Sequence, residues 1–186
     1  MTRTENTPRS VIVYGLLIGL LTAAPASGQD RRGFIYGTIG GASIGHADSE
    51  QGKAPIFGGG MAFRILPRLV VEGDVHGARV TQVFGREHHD FTQTTFTGSV
   101  LFRAPLSQEV DFLTGGGLGY QRAHIDFTLD PFGRVERTET IRLMHGKAGL
   151  QWNVANGWAM RAEGVLWMGS GLDWVMGGRV GLGYRF

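Results

Sequence analysis

From residue 33 onward, hydrophobic and polar residues alternate with a period of two, and short clusters of turn-forming residues interrupt the alternation. A period of two is typical of a β-strand with two different faces. We predict eight strands, an even number, as closure of an up-and-down antiparallel barrel requires. The predicted strands are 33–45, 55–65, 69–82, 91–103, 109–126, 141–152, 158–169 and 174–186.

The last predicted strand shows the two faces most clearly. One face carries Val175, three glycines and the cations Arg179 and Arg185. The other face is apolar and aromatic: Trp174, Met176, Gly178, Val180, Leu182, Tyr184 and Phe186. In a soluble barrel the apolar face would point inward. The strand lengths, which suit a hydrocarbon layer crossed by about 9–11 tilted residues, favour the inverted arrangement, with the charges inside.

The predicted connections alternate between short and long. Residues 66–68, 104–108 and 153–157 form short turns, whereas 46–54, 83–90 and 128–140 are longer and polar; 170–173 breaks the contrast. Short periplasmic turns and long external loops are typical of outer-membrane barrels. We therefore expect the longer loops on the outer side.

Aromatic residues next to the short turns or the C-terminus all belong to the apolar face. We predict that these six form a girdle at one membrane interface: Phe63, Phe102, Phe112, Trp152, Trp158 and Phe186. A girdle at the opposite interface is less complete. Tyr36, Tyr120 and Trp174 are its candidates, while Trp167 falls on the inward face.

The N-terminus has the order of a secretory signal peptide. Polar residues with Arg3 and Arg9 precede the apolar stretch 11–24, and small residues follow. Cleavage fits after Ala26 or Gly28, and we place it after Gly28. The apolar stretch falls short of the roughly 20 residues of a spanning helix, which disfavours an uncleaved anchor. We expect a signal peptide at 1–28 and a barrel domain at 29–186.

The amino-acid composition excludes further classes of structure, site and partner. Glycine supplies 31 of 186 residues, which disfavours long helices because each interior glycine costs a helix about 1 kcal/mol relative to alanine. The absence of cysteine excludes disulfides, cysteine-ligated zinc and a lipid-modified cysteine. The net charge of +2 comes without a basic cluster, so nucleic acid is not an expected partner.

The inward faces carry charged residues on several predicted strands. The set is Arg64, Glu72, Asp74, His76, Lys147, Arg161, Glu163, Arg179 and Arg185. In a narrow lumen such charges must pair or meet water. We favour a salt-bridged plug over a gated solute path, because eight strands leave little interior room. The sequence alone does not assign the pairs.

Three groups of residues are candidates for reactive sites. The adjacent residues His88, His89 and Asp90 do not converge as metal ligands should, so no metal and no cofactor is expected. His46 with Ser49, and His124 with Asp126, lack the spacing of a nucleophile, a base and an orienting group. We therefore expect no enzymatic activity and name no catalytic residue.

The C-terminal residues 180–186 and the glycine-rich strand 114–120 carry a family likeness. A terminal Phe186 preceded by Tyr184, Leu182 and Val180 resembles the C-terminal signal of outer-membrane barrels, and the whole mature chain resembles the OmpA/OmpX-type and opacity-type eight-stranded barrels. The resemblance implies outer-membrane localisation, a periplasmic N-terminus, and recognition of Leu182, Tyr184 and Phe186 by the barrel-assembly machinery. Unlike two-domain members, this chain is expected to be a barrel alone.

The expected fold is all-β: an eight-stranded antiparallel up-and-down transmembrane barrel behind a cleaved signal peptide. The expected function is a structural or interaction role in the envelope, performed by a barrel with a filled lumen. A narrow ion or solute pore is the alternative, and a lipid-modifying enzyme is a weaker one. The expected partners are outer-membrane lipid and the assembly machinery.

Overall fold

The computed structural model describes residues 31–44, 52–84, 87–129, 133–169 and 172–186. The predicted signal peptide lies outside these residues and stays a prediction. Eight strands follow one another: β1 (Gly33–Ile44), β2 (Gly52–Leu66), β3 (Leu69–Phe84), β4 (Glu87–Pro105), β5 (Val110–Leu129), β6 (Gly133–Asn153), β7 (Trp158–Gly169) and β8 (Leu172–Arg185).

Each strand pairs antiparallel with the next, and β8 pairs with β1, so the sheet closes into a barrel. The predicted eight-stranded up-and-down architecture is confirmed. Closure leaves the barrel wall without an unpaired sheet edge, which matters wherever no water can satisfy backbone groups. Among the described residues, no helix is long and apolar enough to cross a membrane.

The closing strands are strongly staggered. Starting from Ala42 in β1 and stepping from partner to partner around the barrel, the path does not return to Ala42. It ends on a backbone hydrogen bond from Arg64 to Arg32, ten residues before the start. The intermediate partners are Gly177, Val165, Lys147, Gly115, Leu101, Val70 and Arg64. Eight strands with a stagger of ten residues tilt by about 40° from the barrel axis.

The first strand starts and the last strand finishes on the same side of the barrel. The three turns on this side are short, as predicted. They fall at 67–68, 106–109 and 154–157. In the last of these, Asn156 and Gly157 both have positive φ angles, 53° and 91°. Glycine tolerates that conformation without strain, and asparagine is among the few other residues that adopt it.

The predicted long loops are wrong for two of the three segments. Residues 83–84 and 87–90 pair with each other as the end of the β3–β4 hairpin, and 128–129 and 133–140 belong to the β5–β6 hairpin. Within the described residues, β2–β3 pairing ends at Ile56–Ala78 and β6–β7 pairing at Leu143–Gly169. The strands β3 to β6 therefore continue beyond the barrel as a four-stranded sheet. Polar residues on both faces hid these strands, because the sequence pattern there lacks an apolar face.

The two faces of the barrel wall differ as the alternation predicts. Glu72 is 1% exposed inside the barrel, whereas its neighbour Val71 is 41% exposed on the outside. Leu118, Met144, Met160, Val180 and Leu182 are likewise exposed on the outer face. One assignment was wrong: Tyr36, a candidate for the second girdle, points into the barrel and is 4% exposed.

Candidate functional site

Six buried charges inside the barrel form a closed ring of ion pairs with alternating sign. Lys147 bridges Glu72 at 2.5 Å and Asp74 at 2.7 Å. Arg179 joins Asp74, at 3.4 Å, to Glu163. Arg161 joins Glu163, at 3.0 Å, back to Glu72. Each carboxylate meets two cations and each cation meets two carboxylates. We call these six residues the charge ring.

The strand register explains why the charge ring closes. Glu72 and Asp74 stand two residues apart on β3, so their side chains share the inner face. Arg161 and Glu163 do the same on β7, and Glu163 is the direct cross-strand partner of Arg179 on β8. Lys147, on β6, reaches across the lumen to β3. The lumen is thus narrow enough for side chains from opposite walls to meet.

Further polar groups complete the coordination of the charge ring. The Thr97 hydroxyl donates a hydrogen bond to Asp74 at 2.6 Å, and His76 lies 3.0 Å from the same carboxylate and also contacts Arg179. The Arg161 guanidinium lies 5.3 Å from the centre of the Tyr36 ring, a cation–π distance. Buried charges need such partners, because an unpaired ion in a low-dielectric interior is very costly.

Glycines make the room that the charge ring occupies. A Cβ on Gly60 would lie 2.6 Å from the Tyr36 hydroxyl and 2.8 Å from the Asp74 Cβ, and one on Gly149 would lie 2.6 Å from the Glu163 Cβ. Both glycines face the lumen directly beside these side chains. The high glycine content therefore has a steric role on the inner face.

Apolar residues are buried on both sides of the charge ring. Towards the chain termini lies the cluster Phe34, Tyr36, Ala62, Val70, Leu101 and Ala159. In this cluster the rings of Phe34 and Tyr36 stack at 5.2 Å, and Leu101 and Ala159 are fully buried. On the opposite side Ile56, Leu143 and Val165 are at most 6% exposed. The buried polar residues Thr95, Gln121 and His145 share that side, so the charge ring lies between an apolar cluster and a layer of mixed polarity.

A second polar group lies at the end of the lumen nearest the chain termini. Arg103 pairs with Asp111 at 2.8 Å, and the Asn153 amide donates to the same carboxylate at 3.2 Å. Arg64 and Arg185, both predicted to be inward charges, are half-buried at this end and stand outside the charge ring. The structure therefore brings together seven of the nine predicted charged residues, namely the charge ring and His76.

Sequence reasoning missed the neutral members of the site. Tyr36, Thr97, Ser99 and His145 are buried, and the Ser99 hydroxyl lies 2.8 Å from the Nε2 atom of His145. They occupy inward positions, so the alternation contained the signal. Period-two alternation does not distinguish a neutral residue that takes part in the site from one that only fills the lumen.

The six predicted girdle aromatics lie at strand ends. Phe63, Phe102, Trp152 and Trp158 are exposed, from 39% to 48%, while Phe112 and Phe186 are half-buried. Trp158 meets the ring of Tyr184 edge-on at 5.8 Å. Phe186 directly follows β8.

The other candidates for a reactive site do not form one among the described residues. His46 and Ser49 lie outside them, and so do the side chains of His88, His89 and Asp90, whose backbone belongs to β4. His124 lies on β5, with its Nδ1 atom 3.1 Å from the Thr138 hydroxyl.

A filled barrel with apolar residues outside is the arrangement of a small transmembrane barrel. The family model described as "Outer membrane protein beta-barrel domain" matches residues 15–186. The chain belongs to this family. It is accordingly a protein of the bacterial outer membrane.

Solved structures of outer-membrane barrels share the fold of this family member. Ail, the attachment invasion locus protein of Yersinia pestis, is 20% identical with a TM-score of 0.65, covering 85% of this chain and all of its own. Neisserial surface protein A is 14% identical with a TM-score of 0.66, covering 83% and 97%. OprG of Pseudomonas aeruginosa is 11% identical with a TM-score of 0.55, covering 87% and 99%. A search of curated protein sequences found no match.

Proposed function

We propose that this outer-membrane barrel is a filled, non-conducting barrel with a structural and interaction role in the envelope. The closed charge ring carries this proposal. It uses three carboxylates and three cations, so its net charge is zero and no member is left to attract a permeating ion. The apolar cluster between the ring and the chain termini supports the same conclusion.

The proposal includes the partners that the outer surface implies. The girdle aromatics Phe63, Phe102, Phe112, Trp152, Trp158 and Phe186 contact the interface of the periplasmic leaflet, since rings of this kind favour membrane boundaries. Leu182, Tyr184 and Phe186 are recognised by the barrel-assembly machinery through the C-terminal strand. The four-stranded sheet beyond the barrel extends outside the cell, and no catalytic role is assigned.

Conductance across a planar lipid bilayer tests the filled-barrel proposal. The folded protein is expected to insert without a steady current, and a change in gel mobility on boiling verifies that it is folded. A steady and reproducible single-channel current would contradict the proposal and favour the narrow pore.

Substitutions in the charge ring separate the two functions further. In a plug, Glu72→Gln, Arg161→Gln and Arg179→Gln lower the stability of the folded barrel. In a pore, the same substitutions alter ion flow and leave the melting temperature unchanged. The outer-face variant Val71→Leu, next to Glu72, is the matched control for both measurements.

A further inference from the structure

Three arginines stand out on the outer face of the wall, at the end opposite the chain termini. Arg79 on β3, Arg122 on β5 and Arg142 on β6 are all exposed. Their cross-strand partners are outward residues too: Thr92 for Arg79, Thr94 for Arg122 and Tyr120 for Arg142. We call these three residues the arginine arc.

The register places the arginine arc at one height. In a barrel of this tilt, two residues along a strand rise about 5 Å along the axis, and one step to the next strand rises about 3 Å. Arg122 is two residues above Tyr120, and Arg142 is one strand step from Tyr120. Arg79 lies two strand steps from His124, which is two residues above Arg122. The three arginines therefore lie within roughly 2 Å of one another along the axis.

This height coincides with the edge of the apolar band. Arg122 and the girdle residue Phe112 share a strand and a face and stand ten residues apart, which corresponds to roughly 25 Å along the axis. That is the height of the apolar band of an outer-membrane barrel. Between them β5 presents Thr114, Gly116, Leu118 and Tyr120, without a charge. Just below the arc, Phe96 and Tyr120 stack at 4.9 Å.

We propose that the arginine arc binds the phosphate groups of a phosphorylated glycolipid in the outer leaflet. Guanidinium groups bind phosphate oxygens through paired, charge-assisted hydrogen bonds, and the neighbouring outward residues Thr92, Thr94 and Thr140 add hydroxyl donors. A lipid fits better than a soluble anion, because the arc borders the apolar band and faces sideways. The inference shares the membrane placement of the proposed function and is independent of whether the lumen conducts.

Native mass spectrometry of the folded protein in detergent micelles tests this proposal. The probes are bis-phosphorylated lipid A, the same lipid without phosphates, and a soluble heparin oligosaccharide. The test variant is R122Q/R142Q. The matched control is R32Q/R68Q, which removes two exposed arginines at the opposite end of the barrel. A change in gel mobility on boiling verifies the folding of each variant.

The wild type and the control are expected to retain the phosphorylated lipid in preference to the dephosphorylated one. R122Q/R142Q is expected to bind the phosphorylated lipid roughly thirtyfold more weakly, at about a fivefold loss per arginine. R122K/R142K keeps the charges and is expected to retain more binding than the glutamine pair. Unchanged binding by R122Q/R142Q, an equal loss in the control, or preferential binding of heparin at these arginines would overturn the proposal. A conducting lumen with intact lipid binding would contradict only the filled-barrel function.

Discussion

The inner and outer faces of the same strands differ in how strictly they constrain the residue at each position. Inside, Glu72 is held by two cations, and its position is set by residues on β6 and β7. Outside, its neighbour Val71 is 41% exposed. The inner face therefore needs particular residues at particular heights. The outer face needs only apolar residues over a band of the right height along the barrel axis.

Glycines show the same contrast. A Cβ on the inward Gly117 would lie 1.8 Å from the backbone oxygen of Gly98, whereas one on the outward Gly178 would meet nothing within 4 Å. On the outer wall Gly178 pairs with Gly164 and Gly41. These three glycines line part of an open groove of about 900 Å³. Gly117 is therefore required by packing and Gly178 is not, although two outward glycines, Gly59 and Gly116, also lack room for a Cβ because a backbone oxygen would lie 2.6 Å and 2.5 Å away.

Removal of one charge from the ring is expected to give the largest effect. Glu72→Gln leaves Lys147 and Arg161 each with one carboxylate fewer in a buried site, and such a break costs about 3–5 kcal/mol. Urea unfolding in lipid vesicles, followed by tryptophan fluorescence, measures the free energy of unfolding. The outer neighbour Val71→Leu is expected to change it by about 0.5 kcal/mol or less. Equal losses for the two variants would show that the faces do not differ.

A double variant sharpens this comparison. Lys147→Met removes one of the cations that Glu72 neutralises, so the double variant Glu72→Gln/Lys147→Met is expected to cost less than the sum of the single variants. The coupling is expected to be about 1–3 kcal/mol, as for other contacting residues. Strict additivity would contradict a direct interaction within the charge ring.

Substitution of glycine by alanine is expected to give an intermediate effect that depends on the face. Gly117→Ala forces the β4 and β5 backbones apart and is expected to cost about 1–3 kcal/mol. Gly178→Ala fits without strain and is expected to be neutral or to stabilise the fold by up to about 1 kcal/mol. The same unfolding measurement compares them. A larger loss for Gly178→Ala would refute the steric argument.

The smallest effect is expected beyond the barrel. Arg137 pairs with Glu139 at 2.6 Å in the extended part of β6, but the Arg137 side chain is 73% exposed. Water and salt screen such a pair, so Arg137→Ala is expected to cost less than about 1 kcal/mol. A loss as large as that of Glu72→Gln would mean that this sheet contributes to barrel stability as the charge ring does.

Particular residues show which parts of the fold a local sequence pattern predicts. Alternation placed Glu72, Lys147 and Arg179 on the inner face correctly, because side-chain direction in a strand is a local property. The same pattern failed at 83–90 and 128–140, where both faces are polar and the strands were taken as loops. It also left Tyr36 on the wrong face, although Phe34 and Tyr36 share a parity with inward residues of β1.

By itself, the sequence determined the number of strands, the two faces of the barrel wall and the short turns, since these depend on a period of two and on turn residues. The tertiary structure alone decided which charges meet. Lys147 and Asp74 are 73 residues apart in the chain, and they come within 2.7 Å because the barrel closes with a stagger of ten residues. A stagger belongs to the closed sheet as a whole, so no local pattern encodes it. The charge ring and the arginine arc both follow from it.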